Sequence, residues 1–207
     1  MCGRYVIDDS EEVSEMRKIF DKVKEYYSDT KEYQKIRRGE IFPSDTVPII
    51  IPERSTNIDA VPMRWGFKPI KHGGRQLINA RSESVYEKPT FRESIKNKRC
   101  IIPANGFFEW ANSENDKKQK YLIKADAPTL YFAGIYDEKV DYDERKELVH
   151  FVILTRESRG LLRSIHHRMP VTVQRRDILK WLNGDERHVR EIFSDENVPE
   201  YAFEKSF

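Results

Sequence analysis

Cys2 directly follows Met1. An initiator methionine is normally removed when the second residue is small, so the mature chain is expected to begin Cys2-Gly3-Arg4-Tyr5. That start places an amine and a thiol on adjacent carbons. An α-amine has a reference pKa of about 7.7 to 8.0 against about 10.4 for lysine, so near pH 7 roughly a tenth of it is neutral and nucleophilic. Attack on an aldehyde gives an imine, and the neighbouring thiol then closes a five-membered thiazolidine with the advantage of a tethered nucleophile. Gly3 leaves room for a substrate beside the thiol, and Arg4 is placed to favour thiolate. The competing reading is a buried structural cysteine, the commonest fate of a free thiol. Cys100, inside the apolar run RCIIP, is read as such a core residue.

Four further segments set polar groups among apolar neighbours. In LINARSES, Leu77 to Ser84, the residues Asn79, Arg81 and Glu83 alternate and would share one strand face. Asn79 would anchor an oxygen there and Arg81 meet a phosphate. In NGFFEW, Glu109 stands between Phe108 and Trp110. A carboxylate against aromatic rings has a raised pKa and suits acid/base work near neutrality, although a period-two strand equally allows it to point outward. In SIHHRMPV, His166 and His167 adjoin Arg168, which suits a proton shuttle. Adjacent histidines in an extended segment point to opposite sides, and no HExxH or other ligand spacing is present, so no metal is expected. In PMRWGF, the residues Arg64, Trp65 and Phe67 combine a cation with aromatic surface, as a single-stranded nucleic-acid groove does. Core packing of Trp65 is the competing assignment.

The elements that must position these residues come from a chain of 207 residues, enough for one sizeable core. Charged residues make up 35% of it, yet aromatics reach 12%, more than a disordered polar chain carries. The 37 basic against 35 acidic residues leave a net charge of +2, so a polyanion site must be a local patch. No stretch is long and apolar enough to span a bilayer, and the start lacks a secretory pattern. With two cysteines and no CxxC spacing, neither a disulfide framework nor a zinc site is indicated, and a cytoplasmic protein is expected.

A strand-like start, Cys2 to Ile7, precedes a helix from Asp9 to about Tyr27. Asp9 and Glu12 have capping-box spacing, and Val13, Met16, Ile19, Phe20 and Val23 form one stripe. Ser28 to Arg38 is a polar stretch. Strands are expected at Val47 to Ile51, Ile58 to Met63, Arg99 to Ile102, Phe107 to Trp110, Tyr121 to Ala125, Leu130 to Ile135 and Leu148 to Leu154. Asn112 to Lys120 reads as a solvated hairpin loop. Helices are expected at Phe91 to Lys98, Ser158 to Ile165, Asp177 to Leu182 and Glu186 to Phe193. The elements do not alternate β-α-β, so the fold class is α+β, with a mostly antiparallel, barrel-like β-sheet flanked by helices.

Taken in order, MCGRY, PMRWGF, INARSES, RCIIPANGFFEW, TLYFAGIYD, VILTRES and IHHRMPV resemble the SOS-response-associated peptidase (SRAP) family from Cys2 to about Trp181. The resemblance implies one SRAP-like domain over 1–207, with a shared core of about 2–181 and a helical tail over about 185–207. It implies DNA-damage work without a cofactor: binding of abasic sites in single-stranded DNA, including junctions with duplex, and capture of the opened sugar aldehyde as a thiazolidine on Cys2. An abasic-site lyase activity and N-terminal self-processing are further implications. By position in the motifs, Asn79 would hold Cys2 and the sugar, Glu109 would be the acid/base group and His166 would act on the opened sugar. Arg4, Arg81 and Arg168 would contact phosphates, Thr155 would orient the site, and Pro43 and Trp65 would belong to the DNA groove. The chain is expected to act as a monomer.

Two departures stand out from the family pattern. Glu40-Ile41-Phe42-Pro43 replaces the usual Asn-x-Ala-Pro, and the loop Lys68 to Gln76 is basic where tryptophans are common. Lys71 and Arg75 in that loop would exchange base stacking for phosphate attraction. The rival chemistry is that of a thiol autoprotease, with Cys2 attacking an acyl group and Glu109 or His166 as base. It requires a thiolate and an oxyanion hole that no motif supplies.

Overall fold

The longest apolar runs become strands sealed from water. Every residue of Arg99–Ala104 is buried, as a strand covered on both faces requires. The computed structural model describes residues 2–10, 14–52, 58–68, 74–112, 118–141, 146–194 and 199–206. Among these the elements run β1 (Tyr5–Ile7), α1 (Ser14–Tyr27), α2 (Lys31–Gln34), β2 (Gly39–Ile41), β3 (Thr46–Pro52), β4 (Ile58–Trp65), β5 (Asn79–Arg81) and α3 (Arg92–Asn97). They continue with β6 (Arg99–Ala104), β7 (Gly106–Asn112), β8 (Lys118–Ala125), β9 (Leu130–Asp141), β10 (Lys146–Glu157), α4 (Leu162–Ile165), β11 (Arg168–Pro170), α5 (Ile178–Asn183), α6 (Glu186–Ile192) and β12 (Tyr201–Ser206).

The fold is α+β with two sheets, one of five strands in the order β12-β8-β7-β1-β2 and one of seven. In the larger sheet β10, β4, β3, β6 and β9 follow one another, and β9 pairs again with β10, so these five form a ring. Most pairings are antiparallel, but β10 runs parallel to both β4 and β5. That long strand is the spine of the site, since it sets β5 with Asn79 beside Ile153 and β11 with Arg168 beside Glu157. A Cβ at Gly134, where the ring closes, would meet Ile102 Cδ1 at 2.2 Å and the Val152 carbonyl oxygen at 3.0 Å, so a larger residue there would force its neighbours to shift.

Aromatic side chains fill the space between the sheets. Tyr5 of β1 packs edge-on against Trp65 at 5.1 Å and Phe132 at 6.2 Å, and Trp65 stacks on Phe151. The stripe expected on α1 buries Met16, Ile19, Phe20 and Val23, each contributing about 1.5 to 3 kcal/mol by its removal from water. Buried Arg99 donates to Ile95 and Lys96 carbonyls at the end of α3 and to Trp181, Leu182 and Gly184 carbonyls at the end of α5. One guanidinium thus satisfies carbonyls that two helix ends leave over.

Several expectations need correction. Among the described residues the helix runs Ser14–Tyr27, and Asp9 accepts from Arg38 Nε; Glu12 and Val13, and with them the expected capping box, lie outside the described residues. Among the described residues the tail is helical over Glu186–Ile192, while Tyr201–Ser206 extends the smaller sheet by pairing with β8. Its alternating Tyr201 and Phe203 suit a strand with one covered face. Lys118–Ala125 is strand, so Lys120 is not part of a solvated loop. The polar stretch after α1 contains α2, capped by the Thr30 side chain.

Candidate active site

Cys2 lies just before β1 and is fully buried. Its carbonyl accepts a 2.8 Å hydrogen bond from Asn79 Nδ2, at the start of β5. Its thiol lies 3.9 Å from the Arg4 carbonyl. Burial, and then the charge of Glu109, push the thiol pKa well above the ordinary cysteine value. The sulfur is therefore a protonated thiol, against the expectation that Arg4 would favour thiolate. The Arg4 guanidinium is turned to Glu40 instead, with Nη1 at 2.9 Å from Oε1.

Glu109 points inward from β7 and is 3% exposed. Burial raises its carboxyl from 4.5 to about 7, against the pull of the positive amino terminus. His166, at the end of α4, brings Nδ1 to 3.6 Å from Glu109 Oε1 and to 3.0 Å from the backbone nitrogen of Arg168. Desolvation leads the causes that lower the His166 pKa. Glu109, raised to about 7, is thus the acid/base group at hand near pH 7; the 3.6 Å to His166 Nδ1 is longer than a hydrogen bond, and that nitrogen is already engaged by the Arg168 backbone. His167 is exposed and its ring lies 4.4 Å from that of His166.

The fold thus brings together Cys2, Asn79, Glu109 and His166 from four separate elements. It does not do the same for every residue read as part of the groove. Arg168 is 5% exposed and holds Glu83 with two hydrogen bonds, Nη1 to Oε1 at 2.7 Å and Nη2 to Oε2 at 2.9 Å. It also donates to the Thr155 carbonyl at 2.6 Å. It secures β11 and the β5 turn, and is not offered to a phosphate. Trp65 is fully buried and donates to the Ile78 carbonyl, so it is a core residue that steadies the strand leading to Asn79. Thr155 is fully buried against Ala80 and Arg168, a positioning place without an exposed face. Arg81 is exposed, as a phosphate contact requires.

Pro43 sits in the turn Phe42 to Asp45, closed by Asp45 N to the Phe42 carbonyl at 3.0 Å. Ser44, after it, takes φ +78°, so this is a type II turn with proline in its favoured second place. Phe42 before it is exposed, and Glu40 accepts from Lys120 Nζ at 2.8 Å as well as from Arg4. The sequence reading passed over Lys120 because it ends a charge run, and its partner lies 80 residues away. Arg75 is exposed; Lys71 lies outside the described residues. Among the described residues no three His, Cys, Asp or Glu side chains gather as a ligand set, and no helix is long and apolar enough to cross a membrane.

A two-sheet α+β domain that seats a buried cysteine beside a neutral-pH carboxylate and an imidazole defines a thiol-centred site at the start of the chain. The chain belongs to the SOS response associated peptidase (SRAP) family, whose pattern it matches over residues 1–204, past the 2–181 core expected and into β12. It is 34% identical over 192 residues to the abasic site processing protein YoaM of Bacillus subtilis, covering 88% of this chain and 79% of that one. It is 37% identical over 148 residues to YoqW of the same organism, also called an abasic site processing protein, of which it spans 65%. A crystal structure of a protein from Bacteroides thetaiotaomicron is similar with a TM-score of 0.75 at 26% identity, covering 99% of this chain and 91% of that one.

Proposed function

We propose that this chain processes abasic sites in single-stranded DNA by capturing the ring-opened sugar aldehyde as a thiazolidine on Cys2, once Met1 has been removed. The observation that carries the reading is Glu109, its carboxyl raised to about 7 and His166 Nδ1 3.6 Å away, beside a cysteine whose carbonyl Asn79 holds. The names of the relatives support the abasic site as the substrate.

The chemistry follows from the protonation states. Because burial keeps the Cys2 thiol protonated, the freed amine attacks first. Its lone pair adds to the aldehyde carbon, and the protonated Glu109 gives its proton to the departing hydroxyl, so that water leaves and an iminium forms. The thiol then adds to the same carbon. Its proton returns to Glu109, the C–S bond closes the ring, and the iminium nitrogen becomes the ring amine; the net product besides the adduct is one water. Tethering makes the second addition effective even from a thiol, since effective molarities of about 10⁵ to 10⁸ M are reached by well-oriented intramolecular pairs. His166 would exchange the proton of the opened sugar hydroxyl. The high thiol pKa argues against a peptidase that needs thiolate at neutral pH.

A single-stranded oligonucleotide with one abasic site tests the reading. A heat-stable, SDS-resistant adduct is expected, with a mass equal to protein without Met1 plus DNA minus one water. Cys2→Ala and an added N-terminal residue should both abolish it. Equal adduct from those variants would overturn the mechanism, and cleavage of a peptide substrate dependent on Cys2 in the absence of any adduct would favour the acyl chemistry instead.

A further inference from the structure

A groove of about 620 Å³ opens between α1 and α5, over β3 and β4, and shares no residue with the Cys2 centre. Its floor is apolar. Ile19 of α1, Ile178 of α5, and Ile50 and Ala60, register partners across β3 and β4, are each no more than 8% exposed. Leu179 stands at the mouth and is 45% exposed. The rim is charged. Helical spacing sets Glu15, Lys18 and Lys22 on the α1 face that carries Ile19, and Arg175 meets them from the turn before α5. With Asp59 included, three cations and two carboxylates leave the groove one net positive charge. The groove already holds a carboxylate of the chain itself: Arg175 Nε lies 2.7 Å from Glu15 Oε1, and the Tyr131 phenol is hydrogen-bonded to the same side chain. That ion pair is weakly held, since the Arg175 side chain is 77% exposed and water competes for it. Lys22 is turned to the Ile58 carbonyl, whereas Lys18 is exposed and makes no ion pair among the described residues.

We propose that this groove is a second site that binds an amphipathic monoanion, an unbranched aliphatic carboxylate. Its chain lies on the floor of Ile19, Ile50 and Ile178, and its carboxylate meets Lys18 and takes Arg175 from Glu15. Tyr131 keeps Glu15 hydrogen-bonded after the exchange. A cavity of several hundred Å³ with an apolar lining and a few convergent polar groups is the usual form of a small-molecule site. The floor draws an apolar chain out of water. One carboxylate neutralises the one net charge, whereas a DNA strand would bring a charge with every nucleotide and leave the floor unused. The site stands or falls apart from the Cys2 chemistry.

Decanoate, kept below micelle formation, is the probe, titrated into the full chain with isotope-labelled isoleucine methyls and followed by NMR. The methyls of Ile19, Ile50, Ile58 and Ile178 should shift together and saturate, while those of Ile7 and Ile153 stay in place. Decanol, which lacks the charge, should bind about 10-fold more weakly, and decyltrimethylammonium should leave the groove methyls unmoved. Lys18→Glu, a change at an exposed position, should weaken decanoate about 10-fold. Glu15→Gln should instead tighten it, because Arg175 is released to the ligand; a groove that merely packs would show no gain. Both variants should form the abasic-site adduct at the wild-type rate. No saturable shift, shifts spread over the whole protein, equal affinity for decanoate and decanol, or no tightening in Glu15→Gln each overturns the site. Adduct formation lost in either variant would overturn its independence from the Cys2 centre.

Discussion

Two acid sites flank the short segment from His166 to Arg168, and they are built to opposite ends. On one side Glu83 meets Arg168 in a closed, two-bond pair. Partial burial would raise the Glu83 carboxyl, but the hydrogen bonds and charge of Arg168 outweigh it and hold the pKa below its usual range. On the other side burial outweighs the charge and hydrogen bond of the amino terminus and carries the Glu109 carboxyl up to about 7. A carboxylate paired in this way stays charged and fastens two strands, whereas one buried beside an imidazole remains free to gain and lose a proton. Proximity to the candidate nucleophile does not decide which residues do chemistry. What decides it is whether burial or the partner's charge prevails at the carboxyl.

The comparison breaks most sharply on catalysis. Glu109→Gln should slow adduct formation by about 100- to 10,000-fold, the usual range for a lost acid/base group, in single-turnover gels at pH 7. A rate within a few-fold of wild type would remove Glu109 from the mechanism.

The next effect is on stability. Glu83→Leu leaves the buried Arg168 guanidinium without its carboxylate, a loss of about 3 kcal/mol at the low end for broken pairs because Glu83 is half-exposed, or about 6 to 12 °C in Tm for a domain of this size. An unchanged melting curve would show that the pair is not structural.

The two carboxyls should also have opposite pH signatures. The native Glu109 carboxyl keeps its proton up to about 7, while the unfolded chain releases it near 4.5. Its contribution is therefore fully present below pH 4.5 and is lost as pH rises to about 7, by at most about 3 kcal/mol. Glu83, with a lowered pKa, contributes above its unfolded value, and that contribution is lost as the pH falls through the folded pKa. Melting curves should then show Glu109→Gln gaining on wild type from pH 5 to 7, and the Glu83→Leu deficit shrinking in acid. Parallel pH profiles for the two variants would erase the distinction.

The smallest effect sharpens the contrast between paired and exposed arginines. Arg81→Ala should leave Tm unchanged and lower the salt slope of DNA binding by about one, the release expected for one phosphate contact.

Much of the framework was legible because it is written in local periodicity. The stripe Met16, Ile19, Phe20 and Val23 and the apolar run of β6 each say which side is buried within a few residues. The alternation from Asn79 to Glu83 and the extended stretch before Pro170 foreshadowed β5 and β11, whereas β2, three residues formed only because partners lie beside it, was not legible. The tail strand was missed for the same reason, since a short alternating segment needs the β8 edge to become a strand. In the candidate site, Asn79 beside Cys2 agrees with the sequence reading, while Arg168, Thr155 and Trp65 proved to be interior.

Residue order alone sets a cysteine directly after Met1, a glutamate flanked by aromatics and a histidine beside an arginine in one chain. Tertiary structure alone decided how those groups are charged and to whom they answer. Desolvation of Glu109, the pairing of Glu83 with Arg168 across 85 residues, and the Glu40–Lys120 contact across 80 are sums over distant neighbours. A pKa is set by the medium and charges around a group, and the medium exists only after the sheets have closed.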